Sequence, residues 1–245
     1  MVKKIVLALV LALIGFPLGC GGGPVASSAG RIRVMPMGDS ITEGVGCLPG
    51  GYRRLLENEL LPGLDFQFVG SWNVCSQGMR FPYHEGHSGW TIQNYIGEVT
   101  TAENYPKTNL PPSVYWVSRA HPDMILLLIG TNDGPVSVQE FERRYTKLLN
   151  QIYSAAPDVV LVWCKVLPKV SDTTGEIVEN SSAAIDAVAE SFSAQGKQIA
   201  VVKVDNSFNP VTMTVDGTHP NSIGCPLLEQ AFEAGISSLA LNPQG

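Results

Sequence analysis

The chain has 245 residues, enough for one α/β domain or two small ones. Hydrophobic residues make up 44% and charged residues 16%, so a large core can form and a disordered chain is excluded. The net charge is −6 with no run of lysine or arginine, which argues against a nucleic-acid partner because phosphate binding needs clustered cations.

In chain order, the first segment reads as an export signal. Lys3 and Lys4 precede an unbroken apolar run from Ile5 to Ile14, too short for a spanning helix and suited to a signal-peptide core. Gly19 directly before Cys20 resembles a bacterial lipobox, with Pro17 where leucine is usual. Lipidation of Cys20, which would attach the protein to a membrane, and ordinary cleavage nearby therefore stand as alternatives. The expected organisation is a signal peptide over 1–19, a Gly-rich tether over 20–30 and one domain over 31–245. Its expected location is secreted, or anchored at the cell surface or in the periplasm.

Arg31 to Met37 is a β-rich run ending at the Gly38-Asp39-Ser40 turn. Tyr52 to Leu61 has apolar residues at helical spacing and stops before Pro62-Gly63. Phe66 to Val69 reads as a second strand, and Met124 to Ile129 as a third, apolar throughout as a strand buried on both faces should be. Val136 to Tyr153 is a predicted helix in which Ser137 and Glu140 form a capping box. Val159 to Val166 is a fourth strand, Ile177 to Ala194 a helix, Gln198 to Val204 a fifth strand and Pro220 to Leu241 a closing helix. This alternation predicts a mostly parallel five-stranded sheet covered on both faces, with ligands bound beyond the carboxyl ends of its strands. Ser40 follows the first strand and Asn132 the third. The least regular stretch, Ser71 to Arg119, is rich in aromatics and prolines. It is open to two readings, a substrate cleft or packing for an extended connection.

Setting Cys20 aside, Cys47, Cys75, Cys164 and Cys225 allow three pairings. Cys47 and Cys75 both fall in predicted loops and are the first choice for a bridge, while Cys164 ends an apolar run and reads as a buried thiol. No Cys-x-x-Cys pair exists, and His84 with His87 lacks a third ligand, so no metal site and no cofactor are expected.

The chemistry sits in four short blocks. Ser40 at a strand-to-helix turn is either a nucleophile or a helix N-cap. His219 is either a general base suited to proton transfer near neutrality or a loop histidine. Asp216, three residues earlier, can aim a carboxylate at that imidazole or simply form a turn with Gly217. Asn132 through its side chain, and Gly89 and Ser40 through their backbone N–H groups, are candidate oxyanion donors, each worth about 3–4 kcal/mol to the barrier. Glycine at 89 is read as keeping a side chain out of the substrate's way. Asp39 is assigned to shaping the nucleophile turn and Asp133 to bracing the Asn132 loop. Arg53 and Arg54 are read as salt-bridged helix residues, one of which could face substrate.

Gly38-Asp39-Ser40, Gly89, Gly130-Thr131-Asn132-Asp133 and Asp216 with His219 resemble the four blocks of the SGNH (GDSL-like) hydrolase superfamily, with Ile41 where leucine is usual. The resemblance covers most of 31–241. It implies a flavodoxin-like three-layer α/β/α fold, a metal-free esterase mechanism, and an oxyanion site shared by Ser40, Gly89 and Asn132. Met35 to Gly44, Gly50-Gly51-Tyr52-Arg53 and Glu85 to Trp90 resemble the third carbohydrate-esterase family, which includes acetylxylan esterases. The expectation is a monomeric serine esterase removing small acyl groups, acetyl foremost, from a polysaccharide such as xylan. The alternatives are a lipase, lysophospholipase or thioesterase-like acyl hydrolase, or a non-catalytic carbohydrate-binding module on the same fold.

Overall fold

Alternate residues of a β-strand face opposite ways, and a sheet buried on both sides must therefore feed two cores. The computed structural model, which describes residues 31–60 and 63–240, is built on that rule. The expected signal peptide, tether and Cys20 lie outside these residues. Strands β1 (Ile32–Gly38), β2 (Phe66–Phe68), β3 (Glu85–Gly86), β4 (Met124–Leu128), β5 (Val160–Cys164) and β6 (Ile199–Val202) form one sheet in which every pairing is parallel. The order is β2-β1-β4-β5-β6, with β3 beside β1. The five expected strands are thus joined by a sixth of two residues.

Odd-numbered Met35, Met37, Ile125, Leu127 and Leu161 enter one core, which also holds Trp163. Even-numbered Val34, Leu126, Leu128, Val160 and Val162 enter the other. Helices α3 (Ile92–Tyr95), α4 (Pro112–Ala120), α5 (Val138–Ala155) and α6 (Glu176–Ala194) cover the first face; α2 (Gly51–Leu60) and α7 (Gly224–Ala240) cover the second. A fully buried aliphatic side chain contributes about 1.5–3 kcal/mol, so these two cores dominate the fold's stability. α1 (Ser40–Glu43) is a single turn at the end of β1.

Proline inside a central strand is unusual because it lacks the N–H a ladder needs. Pro36 is tolerated because of where it lies. Val34 and Gly38 accept bonds from Val69 and His87 on one side of β1, and strand periodicity puts the Pro36 nitrogen on that same side. β2 pairs only as far as Val34 and β3 begins at Met37, so Pro36 occupies the gap between two short neighbours.

Two expectations need correction. The closing helix begins at Gly224 instead of Pro220, because the Asn221 side chain accepts from the N–H groups of Ile223 and Gly224 and holds 220–223 in a turn. The irregular stretch 71–119 is also less irregular than expected, containing β3, α3 and α4. Its aromatics favour packing over a cleft. Trp90, Tyr95 and Trp116 are buried in the first core, with Trp90 at 5.1 Å from Tyr95 and 5.3 Å from Trp116 between ring centres.

Candidate active site

Sheet order reverses between β1 and β4, and the loops leaving such a reversal diverge to open a crevice. Ser40 leaves β1 and Asn132 follows β4 into that crevice. Asp39 starts α1 as its N-cap, its Oδ1 accepting from the Ile41 N–H at 3.0 Å. The expected turn-shaping role of Asp39 is therefore seen directly. Burial pushes its carboxyl up to about 6, and Oδ2 has no hydrogen-bond partner.

Ser40 Oγ lies 2.7 Å from His219 Nε2, and His219 Nδ1 lies 2.7 Å from Asp216 Oδ2. The segment 214–220 makes this possible through local bonds. Asp216 Oδ1 accepts from the N–H groups of Thr218 at 3.0 Å and His219 at 2.9 Å, while the Gly217 N–H donates to Thr214 Oγ1. The His219 backbone N–H, and next its ring, hold the Asp216 carboxyl down at about 2. An ionised carboxylate on Nδ1 fixes the imidazole with a proton there, leaving Nε2 free to accept from the serine hydroxyl.

Gly89 reaches the site through β3. Pairing of Glu85–Gly86 with Met37–Gly38, extended by a 2.9 Å bond from the His87 N–H to the Gly38 carbonyl, runs 87–89 alongside the nucleophile turn. A Cβ at position 89 would meet no protein atom within 4 Å, but φ is +76°, a left-handed conformation that disfavours any side chain. Asn132 is exposed and donates one amide hydrogen to the Trp90 carbonyl at 3.0 Å, which leaves its second hydrogen for a ligand. Asp133 braces this loop as expected, accepting from the Ile92 N–H and from Arg144, which also pairs with Glu140.

Sequence reasoning missed Glu43, one turn after Ser40. Its Oε2 accepts from both the backbone N–H and the hydroxyl of Ser88, each at 2.9 Å, tying α1 to the residue before Gly89. The contact spans 45 residues and has no local signature. Arg53 is likewise not a salt-bridged or substrate-facing residue. It is buried and donates to the Thr42 and Glu43 carbonyls, each at 2.8 Å, and to Ser76 Oγ, closing the C-terminal end of α1. Arg54 donates to the backbone carbonyls of Pro49 and Gln77.

The two histidines considered for metal have protein partners, although His87 Nδ1 is left without one. His84 uses Nε2 on the Val74 carbonyl and accepts from the Gly86 N–H at Nδ1. His87 pairs with buried Glu85 at 3.0 Å and stacks on Trp116. The expected Cys47–Cys75 bridge does not form, because loop membership says nothing of direction. All four described cysteines are free thiols; Cys75 faces Glu43, with 4.0 Å between sulfur and Oε1, whereas the thiol that lowers the Cys47 pKa is that of Cys225. Cys164 is fully buried, as expected.

A parallel sheet in the 2-1-3-4-5 order of its longer strands, carrying these four blocks beyond its strand ends, defines the class of SGNH-type carboxylic ester hydrolases. The chain belongs to the GDSL-like lipase/acylhydrolase family, whose profile matches residues 37–225. It is 30% identical over 217 residues to a multidomain esterase of Ruminococcus flavefaciens, covering 82% of this chain but only 28% of that protein. A family 3 carbohydrate esterase of Clostridium thermocellum superposes with a TM-score of 0.71 at 27% identity, over 87% of this chain and 99% of the other. A family 3 carbohydrate esterase of Talaromyces cellulolyticus gives 0.68 at 27% identity, over 85% and 97%. A serine-to-alanine mutant of an acetyl esterase holding an acetate ion gives 0.68 at 25% identity, also over 85% and 97%.

Proposed function

We propose that this chain removes acetyl groups from a polysaccharide such as xylan, with Ser40 as nucleophile, His219 as general base and acid, and Asp216 as the group that orients His219. The observation that carries the reading is the unbroken chain of two 2.7 Å hydrogen bonds from Ser40 through His219 to Asp216. Ser40 Oγ attacks the ester carbonyl as its proton passes to His219 Nε2, and the resulting imidazolium is stabilised by Asp216. The Ser40 and Gly89 N–H groups and the second Asn132 amide hydrogen receive the oxyanion. His219 then returns the proton to the departing sugar hydroxyl, leaving an acyl-serine. Water, deprotonated by His219, attacks this intermediate; acetate leaves and Ser40 regains its proton.

The small acyl group and the carbohydrate are supported by the family 3 carbohydrate esterases and by the relative that holds acetate. Such a polymer lies outside the cell, which agrees with export directed by the first 19 residues, with or without lipid on Cys20. The test compares acetate release from acetylated xylan with hydrolysis of long-chain acyl esters, using wild-type protein and Ser40→Ala. Acetate release that vanishes in Ser40→Ala is expected. Preference for long acyl chains would move the substrate to lipids, and full turnover in Ser40→Ala would remove the mechanism.

A further inference from the structure

The segments carrying the nucleophile and the base are 179 residues apart in sequence and come from opposite ends of the sheet's chain path. Each has a cysteine a few residues beyond its functional side chain. Cys47 follows Ser40 in the loop 44–50, whose start is tied back to α1 by bonds from the Gly44 and Val45 N–H groups to the Ser40 carbonyl at 3.1 and 3.0 Å. Cys225 follows His219 in the first turn of α7, its N–H bonded to the Asn221 carbonyl at 2.9 Å and its thiol directed at the Pro220 carbonyl at 3.7 Å. Where the two segments meet there is no room between them. A Cβ added at Gly46, the neighbour of Cys47, would lie 2.7 Å from His219 Cβ and 3.0 Å from the Pro220 carbonyl oxygen. The segment of Cys47 and the thiol of Cys225 therefore lie against the same residue, Pro220, close enough for each cysteine to shift the other's pKa.

We infer that Cys47 and Cys225 are the partners of a disulfide that clamps the loop after the nucleophile onto the loop that carries the base. Cys225 is buried and Cys47 is half-buried, so Cys47 is the sulfur a reagent meets first. The neighbouring Cys225 thiol lowers the Cys47 pKa, which favours the attacking thiolate there. The step is thiol–disulfide exchange with a small-molecule or protein disulfide. The Cys47 thiolate attacks one donor sulfur and expels a donor thiolate. Cys225, losing its proton, then attacks the Cys47 sulfur of the mixed disulfide and expels the second donor thiolate. One S–S bond forms in the protein and one breaks in the donor, and the two protons given up by the protein thiols end on the two donor thiols. The clamp closes a loop of nearly the whole domain, the case in which a cross-link most restricts the unfolded chain. It also limits how far His219 can drift from Ser40.

The experiment is peptide mapping by mass spectrometry of the full chain, without reduction, after incubation with oxidised glutathione, together with thermal unfolding before and after dithiothreitol. A peptide pair joined through Cys47 and Cys225 is expected, and reduction should lower Tm by about 5–15 °C. Cys47→Ser should unfold at the reduced temperature whether or not dithiothreitol is present. Cys75→Ser should keep the full response. Because Cys47 is half-buried, its serine variant folds even where Cys225→Ser does not. A Cys47–Cys75 link, or both Cys47 and Cys225 found as free thiols after oxidation, would overturn the inference. So would a dithiothreitol response that survives in Cys47→Ser. None of these readouts requires the protein to be an esterase.

Discussion

The two halves of the candidate site are built in opposite ways. On the Ser40 side, Asp39, Ser40, Glu43, Glu85 and His87 are all buried, and the bonds that hold this half come from distant segments, from Glu43 to Ser88 over 45 residues and from Tyr95 to the Gly38 carbonyl over 57, with Arg53 of α2 closing the end of α1. On the base side, the Asp216 side chain is 50% exposed, and its partners Thr218 and His219 lie within three residues. Buried polar groups are costly unless every partner is present, whereas an exposed turn can lose one partner to water. Position on the first side is thus paid for by the whole fold, and on the second by one turn of chain. Disturbing the buried half should reduce stability and activity together, while disturbing the exposed half should reduce activity alone.

The sharpest separation is expected from Asp216→Asn. Loss of the orienting carboxylate should reduce kcat/KM about 10³- to 10⁴-fold. As a change in an exposed turn it should move Tm by less than about 2 °C. The wild-type carboxyl, held at about 2, contributes stabilisation above the unfolded value and loses it as pH falls through its folded value, but at 50% side-chain exposure solvent screening keeps that contribution small. Circular-dichroism melts at pH 7 and pH 3 beside steady-state kinetics would check this, and a large loss of Tm at pH 7 would erase the distinction between the halves.

Asn132→Ala removes one proposed oxyanion donor and the bond to the Trp90 carbonyl. A fall of about 10²- to 10³-fold in kcat, with little change in KM, is the expected kinetic signature of a group that binds the transition state more tightly than the substrate. A rise in KM at constant kcat would instead make Asn132 a ground-state binding residue.

Glu43→Ala probes the buried half. It strips the Ser88 N–H and hydroxyl of their shared acceptor. A stability loss of about 1–3 kcal/mol, read by urea unfolding, should accompany a kcat reduced about tenfold as the Gly89 backbone loosens. Loss of kcat with unchanged unfolding would show the buried network to be less coupled than its bonds suggest.

The smallest effect lies on α7, away from the chemistry. Burial, then the nearby charges of Glu233 and Glu59, push the Glu229 carboxyl up to about 7, and its Oε1 has no partner. A carboxyl whose folded pKa is raised favours the folded state below the unfolded value, and loses that contribution as pH rises through the folded one. Glu229→Gln should therefore raise Tm at pH 8 by about 2–8 °C and leave it nearly unchanged at pH 4. Equal shifts at both pH values would assign the effect to packing, with activity unaffected in either case.

Much of the fold was legible because it is written in local patterns. Met124 to Ile129 could hardly be anything but a strand buried on both faces, and Ser137 is the N-cap of α5 as read. The helix nevertheless starts at Val138 instead of Val136, and Glu140 turns its carboxylate to Arg143 and Arg144 instead of completing the expected capping box. α4 carried a readable signal as well, since Pro112 stands at its first position and Trp116 and Val117 follow Ser113 at helical spacing. The surrounding prolines concealed it. α3 is one turn long, too short for any periodicity to register. β3 has two residues and exists only because β1 offers an unpaired edge beyond Pro36.

The sequence by itself determined the order of the five longer strands and of α2, α5, α6 and α7, and four blocks whose residue types suit acyl transfer, because periodicity and side-chain chemistry are properties of short segments. Only the tertiary structure decided that Glu43 holds Ser88, that Arg53 closes α1, that His84 and His87 serve backbone and packing, and that the segment of Cys47 lies against that of Cys225 at Pro220. Each of those depends on direction and distance between segments far apart in the chain, and these are fixed only when the two cores close on the sheet.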